Sequence, residues 1–203
     1  MNPFLNIWFK PKETTNDVIE NKAVGFSIML FIFSTYANVL GGLQETGFID
    51  GWSPWLVILL VLLAGPLLGI IGFYVGSWLY TIVGRWMNGS GSLQDMRKAI
   101  GVTAIPNLVL IPVYLIYIAL YGEVFFQRPA WNEFSTLPAV PSLILNLIVL
   151  VIGIWNIVVV SKAIGVVHGF SSWRGLGVSL IIAVSLGILA IPIIFVITGL
   201  MLA

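Results

Sequence analysis

Long apolar stretches alternate with short polar windows along this chain. All seventeen Asp, Glu, Lys and Arg residues fall in five windows, which are residues 10–22, 45–50, 85–98, 123–133 and 162–174. Between and after them lie apolar stretches without an acidic or basic residue, at 23–43, 55–83, 99–121, 140–161 and 175–203. About 20 apolar residues in a helix cross the hydrocarbon core of a bilayer. The pattern therefore predicts five transmembrane helices.

The fold class follows from the length and uniformity of these stretches. Backbone polar groups in lipid must be paired, so only helices and closed barrels cross a membrane. The stretches are too long and too uniformly apolar for the alternating strands of about ten residues that build a barrel. We predict an all-α integral membrane protein with two parts. These are an N-terminal cytoplasmic or interfacial segment, residues 1–22, and a single five-helix membrane domain, residues 23–203.

Charge and composition add an orientation. Charged residues make up 8% of the chain and the mean hydropathy is +1.06, which excludes a soluble domain. Eight of the nine Lys and Arg residues lie in the first, third and fifth windows, and the exception is Arg128. Because positive residues near helix ends stay in the cytoplasm, we predict a cytoplasmic N-terminus and an external C-terminus. The expected location is the cell (plasma) membrane, with multiple passes. A net charge of +1 gives no support for nucleic acid as a partner, and none is expected.

The N-terminal segment is rich in aromatic residues. Residues 2–9 are predicted to lie at the cytoplasmic membrane surface. Pro11 interrupts this segment, and Thr14 or Thr15 is then expected to cap a helix. Asp17 follows Thr14 at the spacing of a capping box.

Glycines form a stripe on the second predicted membrane helix. Their spacings of four, three and four residues place them on one face: Gly65, Gly69, Gly72 and Gly76. Small residues let helix backbones approach closely in lipid. This face is expected to pack within the bundle, and the alternative is a homo-oligomer formed through it.

Proline and asparagine mark the interior of the membrane domain. Pro106 and Pro112 each remove a backbone donor and are expected to kink the third helix. Four amides lie in or near apolar stretches, namely Asn38, Asn107, Asn146 and Asn156. Hydrogen bonds between helices are the expected use of these amides, and a substrate path is the alternative.

The third and fifth windows resemble each other, since each has glycine and serine before an arginine and Gly-Val after it. Ser92 is a natural helix cap with Asp95 three residues later, and Ser171 or Ser172 has the same place before Arg174. We predict a cytoplasmic docking surface built from both loops, formed by Ser92, Asp95, Arg97, Lys98, His168, Ser171 and Arg174. The alternative is that the basic residues set the topology and contact lipid phosphates.

Several motifs, in order, resemble those of the Yip family (the Ypt-interacting-protein domain), bacterial branch. They are Asn2-Pro3-Phe4-x-x-Ile7-Trp8-x-x-Pro11, Gly65-Pro66-Leu67, Gly89-Ser-Gly-Ser-Leu-x-Asp95-x-Arg97-x-Ala99, Ala104-x-Pro106, His168-Gly-Phe-Ser171 and Trp173-Arg174. The resemblance implies a five-helix membrane protein with its N-terminus inside. Some bacterial relatives accompany export or envelope-stress systems, which implies an accessory subunit beside, for example, an ABC-type transport complex. The association of eukaryotic relatives with Rab-type GTPases is not carried over, because they generally have longer cytosolic N-termini.

Catalytic chemistry has little support in the sequence. The single histidine, His168, is expected in a cytoplasmic loop, and no separate acid orients it towards Ser171. With no cysteine and one histidine, we predict no metal site, no cofactor and no enzyme. The expected partners are the lipid bilayer and other membrane proteins.

Two functions remain. The first is a non-catalytic scaffold or accessory subunit of a membrane complex. The family resemblance implies that this complex functions in export or envelope stress. The alternative is a small neutral-solute transporter or channel. Ion-coupled pumps usually carry ionisable groups within the membrane, and the apolar stretches contain none. Helices broken at prolines could still line a path for an uncharged solute: Pro66, Pro106, Pro112 and Pro192.

Overall fold

The computed structural model describes the backbone of residues 1–202 and the side chains of residues 1–192. The regular secondary structure in that part of the chain is entirely helical. The helices are α1 (Pro3–Asn6), α2 (Pro11–Asn21), α3 (Val24–Leu43), α4 (Pro54–Trp86), α5 (Leu93–Thr103), α6 (Ile105–Leu108), α7 (Leu110–Tyr121), a 3₁₀ turn (Gly122–Phe125), α8 (Ala139–His168) and α9 (Ser172–Leu202). The C-terminal Ala203, predicted to be external, lies outside the described residues.

Five helical spans are long and apolar enough to cross a membrane, so the predicted fold class is confirmed. They are α3, α4, the series α5–α7, α8 and α9. The 33 residues of α4 extend for about 50 Å, which exceeds a hydrocarbon core of about 30 Å. One face of the bundle carries α1, α2 and the turns 87–92 and 169–171, and we call it the N-terminal face. The opposite, far face carries segments 44–53 and 122–138.

The third span is the most buried of the five and is interrupted twice. Helix α5 ends at Thr103, and α6 runs only to Leu108 before α7 begins. The break follows from Pro106, which has no N–H to donate within the helix. Near it the amide of Asn107 bonds the carbonyl of Ala104, three residues back. The expected interruption of this span is therefore confirmed near Pro106, whereas α7 continues through Pro112.

Proline does not break the other spans as expected. Helix α4 continues through Pro66, and α9 continues through Pro192. A path lined by broken helices at these two prolines is therefore not supported. In lipid a proline is tolerated when neighbouring groups satisfy the carbonyl that it leaves free.

The N-terminal segment packs into the bundle. Helix α2 lies against α5 and α8, and Ile7 and Val18 are completely buried. The predicted cap at Thr14 or Thr15 was wrong, because α2 begins earlier, at Pro11. Proline suits the first position of a helix, where its missing N–H has no role. Both threonines lie inside the helix with their hydroxyls bonded to carbonyls four residues back.

Candidate functional site

A buried histidine connects the two turns of the N-terminal face. The backbone N–H of Gly91 donates to Nδ1 of His168 at 3.1 Å. With Nδ1 accepting, Nε2 carries the proton and donates to the carbonyl oxygen of Tyr80 at 3.2 Å. The carbonyl of His168 accepts from the N–H of Ser90. His168 therefore joins the end of α8 both to α4 and to the turn that follows α4.

The expected position of His168 in a loop was wrong. Helix α8 extends past the apolar stretch to His168, which is 2% exposed. Gly169 follows as the cap of the helix, and its φ of +70° is favourable for glycine. The imidazole fits because three facing positions lack a side chain: a Cβ at Gly84, Gly89 or Gly91 would overlap it.

The predicted caps are present on the same face. Ser92 caps α5 by accepting from the N–H of Asp95 at 3.0 Å, and its hydroxyl donates to the Asp95 carboxylate at 2.7 Å. The Ser171 hydroxyl accepts from the N–H of Arg174 at 3.4 Å at the start of α9. These contacts hold the polar groups of Ser92, Asp95 and Ser171 in local helix caps.

The basic residues of α5 also face the protein. The Nζ of Lys98 donates to the carbonyl of Ile19 at 2.6 Å and so fastens α2 to α5. The guanidinium of Arg97 lies 5.0 Å from the centre of the Tyr74 ring, in cation–π geometry. Its Nε is buried and has no hydrogen-bond partner among the described residues.

The structure therefore brings the two predicted loops together, but most of their polar atoms make contacts within the same chain. Of the seven residues expected to form a docking surface, Arg174 and Ser171 are exposed. His168 is buried, and the other four are half-buried in caps or contacts with α2 and α4. Arg174 is the exposed cation of this set.

The glycine stripe of α4 faces another helix of the same chain. A Cβ at Gly69 would lie 2.9 Å from the Cα of Ile32 on α3. One at Gly65 would press against the ring of Tyr36, one at Gly72 would lie 3.3 Å from Phe31, and one at Gly76 would meet Ile100 of α5. Helix α3 therefore covers most of this face within the same chain.

A polar cleft of about 440 Å³ lies within the membrane domain, between α3 and α8. Its floor is formed by α6 and α7. The lining residues are Ala37, Asn38, Gly41, Gln44, Asn107, Leu110, Tyr114, Val149, Gly153 and Asn156. Asn38, Asn107 and Asn156 were noted separately in the sequence, but nothing there indicated that they meet.

The break in the third span explains one of these amides. Because the N–H of Asn107 bonds Ala104, the carbonyl of Thr103 lacks its usual helical partner. The side chain of Asn156 replaces that partner and donates to Thr103 at 2.9 Å. This bond confirms the interhelical use expected for Asn156. The described hydrogen bonds include none made by the side chains of Asn38 or Asn107.

Trp8 of the N-terminal segment packs against two apolar clusters. One contains Ala37 and Leu110, which also line the cleft, and the other contains Leu30 and Val159. Gln44 also lines the cleft and lies just beyond α3. The lining therefore runs from Gln44, beside the far face, to Asn107 and Asn156 within the bundle.

A carboxylate joins the two far-face segments, and the sequence analysis did not single it out. Glu45 accepts from the hydroxyl of Ser135, and from the N–H of Thr136 at 2.7 Å. Its own N–H donates to the carbonyl of Phe125. Burial alone would raise the pKa of Glu45, but the hydrogen bonds from Ser135 and Thr136 outweigh it and hold the pKa below its usual value.

Comparison with known proteins identifies the family. The family model described as the Yip1 domain matches residues 5–194. No curated protein and no solved structure matches the chain. The match extends from the N-terminal segment into α9, and the five membrane-spanning helices agree with a multi-pass membrane protein. The chain therefore belongs to the Yip1 family.

Proposed function

We propose that this protein is a non-catalytic accessory subunit that binds another membrane protein through α9. The observation that carries the proposal is the exposure of the middle part of this helix. From Ala183 to Leu189 every side chain of α9 is exposed, with Val184, Ile188 and Leu189 each about 60% exposed. The first turns of the helix pack on α8 and α4 and so fix its start in the bundle. The exposed part follows these turns.

Small residues give this part of α9 a surface suited to another helix. Ala183, Gly187 and Ala190 follow at spacings of four and three residues and so share one face. A Cβ at Gly187 would meet nothing within 4 Å. Small residues at this spacing let a second helix approach closely in lipid. On α4 a similar stripe is covered by α3, whereas on α9 it is open.

The partner and the location belong to the same proposal. A membrane complex of the export or envelope-stress kind, such as an ABC-type transporter in the plasma membrane, fits the family resemblance. On the N-terminal face, Arg174 is exposed at the base of α9 and could bind an acidic loop of that partner. The helix supplies the contact within the membrane, and Arg174 supplies a contact at the surface.

Gentle detergent extraction of the native protein tests this proposal. We expect a second membrane protein to co-purify in fixed ratio with the wild type and to be lost with Gly187→Leu, since leucine separates the two helices. Leu67→Ala is the matched control, because Leu67 is 60% exposed on α4, outside the proposed contact. Equal recovery of all proteins with wild type and Gly187→Leu would contradict docking through α9.

A neutral-solute transporter is the second candidate function. The cleft between α3 and α8 favours it, because the cleft has polar walls and no ionisable acid or base in its lining. Solute flux through liposomes that contain only this protein would support transport without a partner. No flux for glycerol or comparable uncharged solutes would remove this candidate.

A further inference from the structure

Amides without a described hydrogen-bond partner line the cleft between α3 and α8, where Asn38 is exposed and Asn107 is half-buried. The side chains of Asn38 and Asn107 and the hydroxyl of Tyr114 take part in none of the described hydrogen bonds, and the described bonds leave Oδ1 of Asn156 free as an acceptor. A polar group in an apolar medium loses free energy unless it is hydrogen-bonded. Lipid chains offer no such bond, so water or a polar ligand must supply the missing partners.

The composition of the cleft defines what such a ligand can be. Its lining contains three asparagines, one glutamine and one tyrosine, and no Asp, Glu, Lys, Arg or His. A buried charge would have no opposite charge here, which is unfavourable. Each amide offers two N–H donors and one carbonyl acceptor. A well-matched ligand is therefore uncharged and carries both donors and acceptors.

We propose that this cleft binds an uncharged molecule with hydroxyl and carbonyl oxygens close together, as on an acylated glycerol. The hydroxyl donates to an asparagine carbonyl, and the ligand oxygens accept from the amide N–H groups. Apolar wall residues such as Leu110 and Val149 contact its carbon atoms. Diacylglycerol from the bilayer and a free glycerol ester from the far face share this chemistry.

Gly153 provides a selective way to block the site. It lies on the α8 wall, and a Cβ there would meet nothing within 4 Å. Gly153→Leu should therefore fill the cleft without a clash in the fold. Gly25→Leu is the matched control, since it adds the same side chain at an equally open glycine of α3 that lies outside the cleft lining. Asn38→Leu is a second variant, which keeps the approximate size of the side chain but removes its donors and acceptor.

Photo-crosslinking in phosphatidylcholine vesicles tests the proposal with the full-length protein. One probe is a diacylglycerol with a diazirine near the glycerol, and the other is a water-soluble monoacetylglycerol analogue with a diazirine. Adducts on α3, α6 or α8 place the ligand in the cleft. The probe that forms them shows whether the ligand is diacylglycerol from the bilayer or a free glycerol ester. We expect Gly153→Leu to lower the adduct yield at least about tenfold, and Asn38→Leu to lower it about three- to tenfold, as loss of one neutral hydrogen bond predicts. Gly25→Leu should match the wild type.

The outcomes separate this proposal from docking through α9. Equal yields with wild type, Gly153→Leu and Asn38→Leu for both probes would overturn the site. Competition by phosphatidic acid as strong as that by diacylglycerol would overturn its uncharged chemistry. Loss of the partner protein with Gly187→Leu bears on docking alone, because that variant leaves the cleft unchanged.

Discussion

The backbone N–H of Gly91 donates to Nδ1 of His168 across 77 positions in the sequence. This bond joins the turn after α4 to the last turn of α8, and the bond from Nε2 to Tyr80 completes the connection. An imidazole can accept at one nitrogen and donate at the other, which apolar side chains cannot do. His168 therefore has a structural role that accounts for both of its ring nitrogens.

Replacing His168 by Leu should destabilise the protein. The variant leaves the buried N–H of Gly91 without an acceptor, which costs about 1–3 kcal/mol. Titration of the purified protein with SDS in mixed micelles measures the loss as a lower free energy of unfolding. His168→Asn keeps an acceptor on a shorter side chain and should recover part of the difference. Arg174→Gln, at an exposed position, should remain within about 0.5 kcal/mol of the wild type. An equal free energy for His168→Leu and wild type would refute the structural role.

Leucine on the glycine stripe should also destabilise the fold. Gly69→Leu forces α4 away from the backbone of Ile32 on α3, and such overpacking costs about 1–3 kcal/mol. Gly72→Leu should cost less, because the flexible ring of Phe31 is its nearest neighbour. The same SDS titration compares both with Gly25→Leu, where a Cβ meets nothing within 4 Å. A larger loss for Gly25→Leu than for Gly69→Leu would contradict the packing of α3 on α4.

Glu45 should make the far face sensitive to acid. Its pKa is lowered in the folded state, so its hydrogen bonds stabilise the protein above the unfolded pKa of about 4.3. This stability is lost as pH falls through the folded pKa. Thermal unfolding in detergent between pH 3 and 7 should therefore show a smaller decrease for Glu45→Gln than for wild type. Identical pH profiles would show that this carboxylate does not stabilise the folded state.

Orientation in the membrane remains a prediction from the Lys and Arg distribution, and cysteine labelling measures it. The chain has no cysteine, so single ones can be introduced without other changes. An impermeant thiol reagent on intact cells should label Asn132→Cys and leave Ser90→Cys unlabelled until the membrane is opened. Labelling of Ser90→Cys in intact cells would reverse the predicted topology.

The spans and the cap of α5 could be predicted from local patterns. The charge windows identified all five spans, and the Ser92–Asp95 spacing identified the cap of α5. His168 was misplaced because a glycine-rich window looks like a loop, whereas α8 continues to His168. The helix is extended by contacts with Tyr80 and Gly91, and these are distant in sequence.

The cleft depends on long-range geometry in the same way. Asn38, Asn107 and Asn156 are separate in the sequence and belong to three different helices. They meet because the third span breaks near Ala104 and because α3 and α8 lie on either side of it. Hydrophobic periodicity reports which face of one helix is buried, and it carries no information about such a meeting of helices. Glu45 was missed for the same reason, since its partners lie 90 residues away.

The central claim is that one face of α9 contacts another membrane protein. A photoreactive amino acid placed singly along α9 in native membranes tests this claim most directly. We expect discrete cross-linked products at Ala183, Gly187 and Ala190, and weak ones at Ser185 and Ile188 on the opposite side of the helix. A product of twice the mass of the chain would identify a second copy as the partner and contradict an accessory role. Equal, weak labelling at all five positions would show that α9 contacts only lipid.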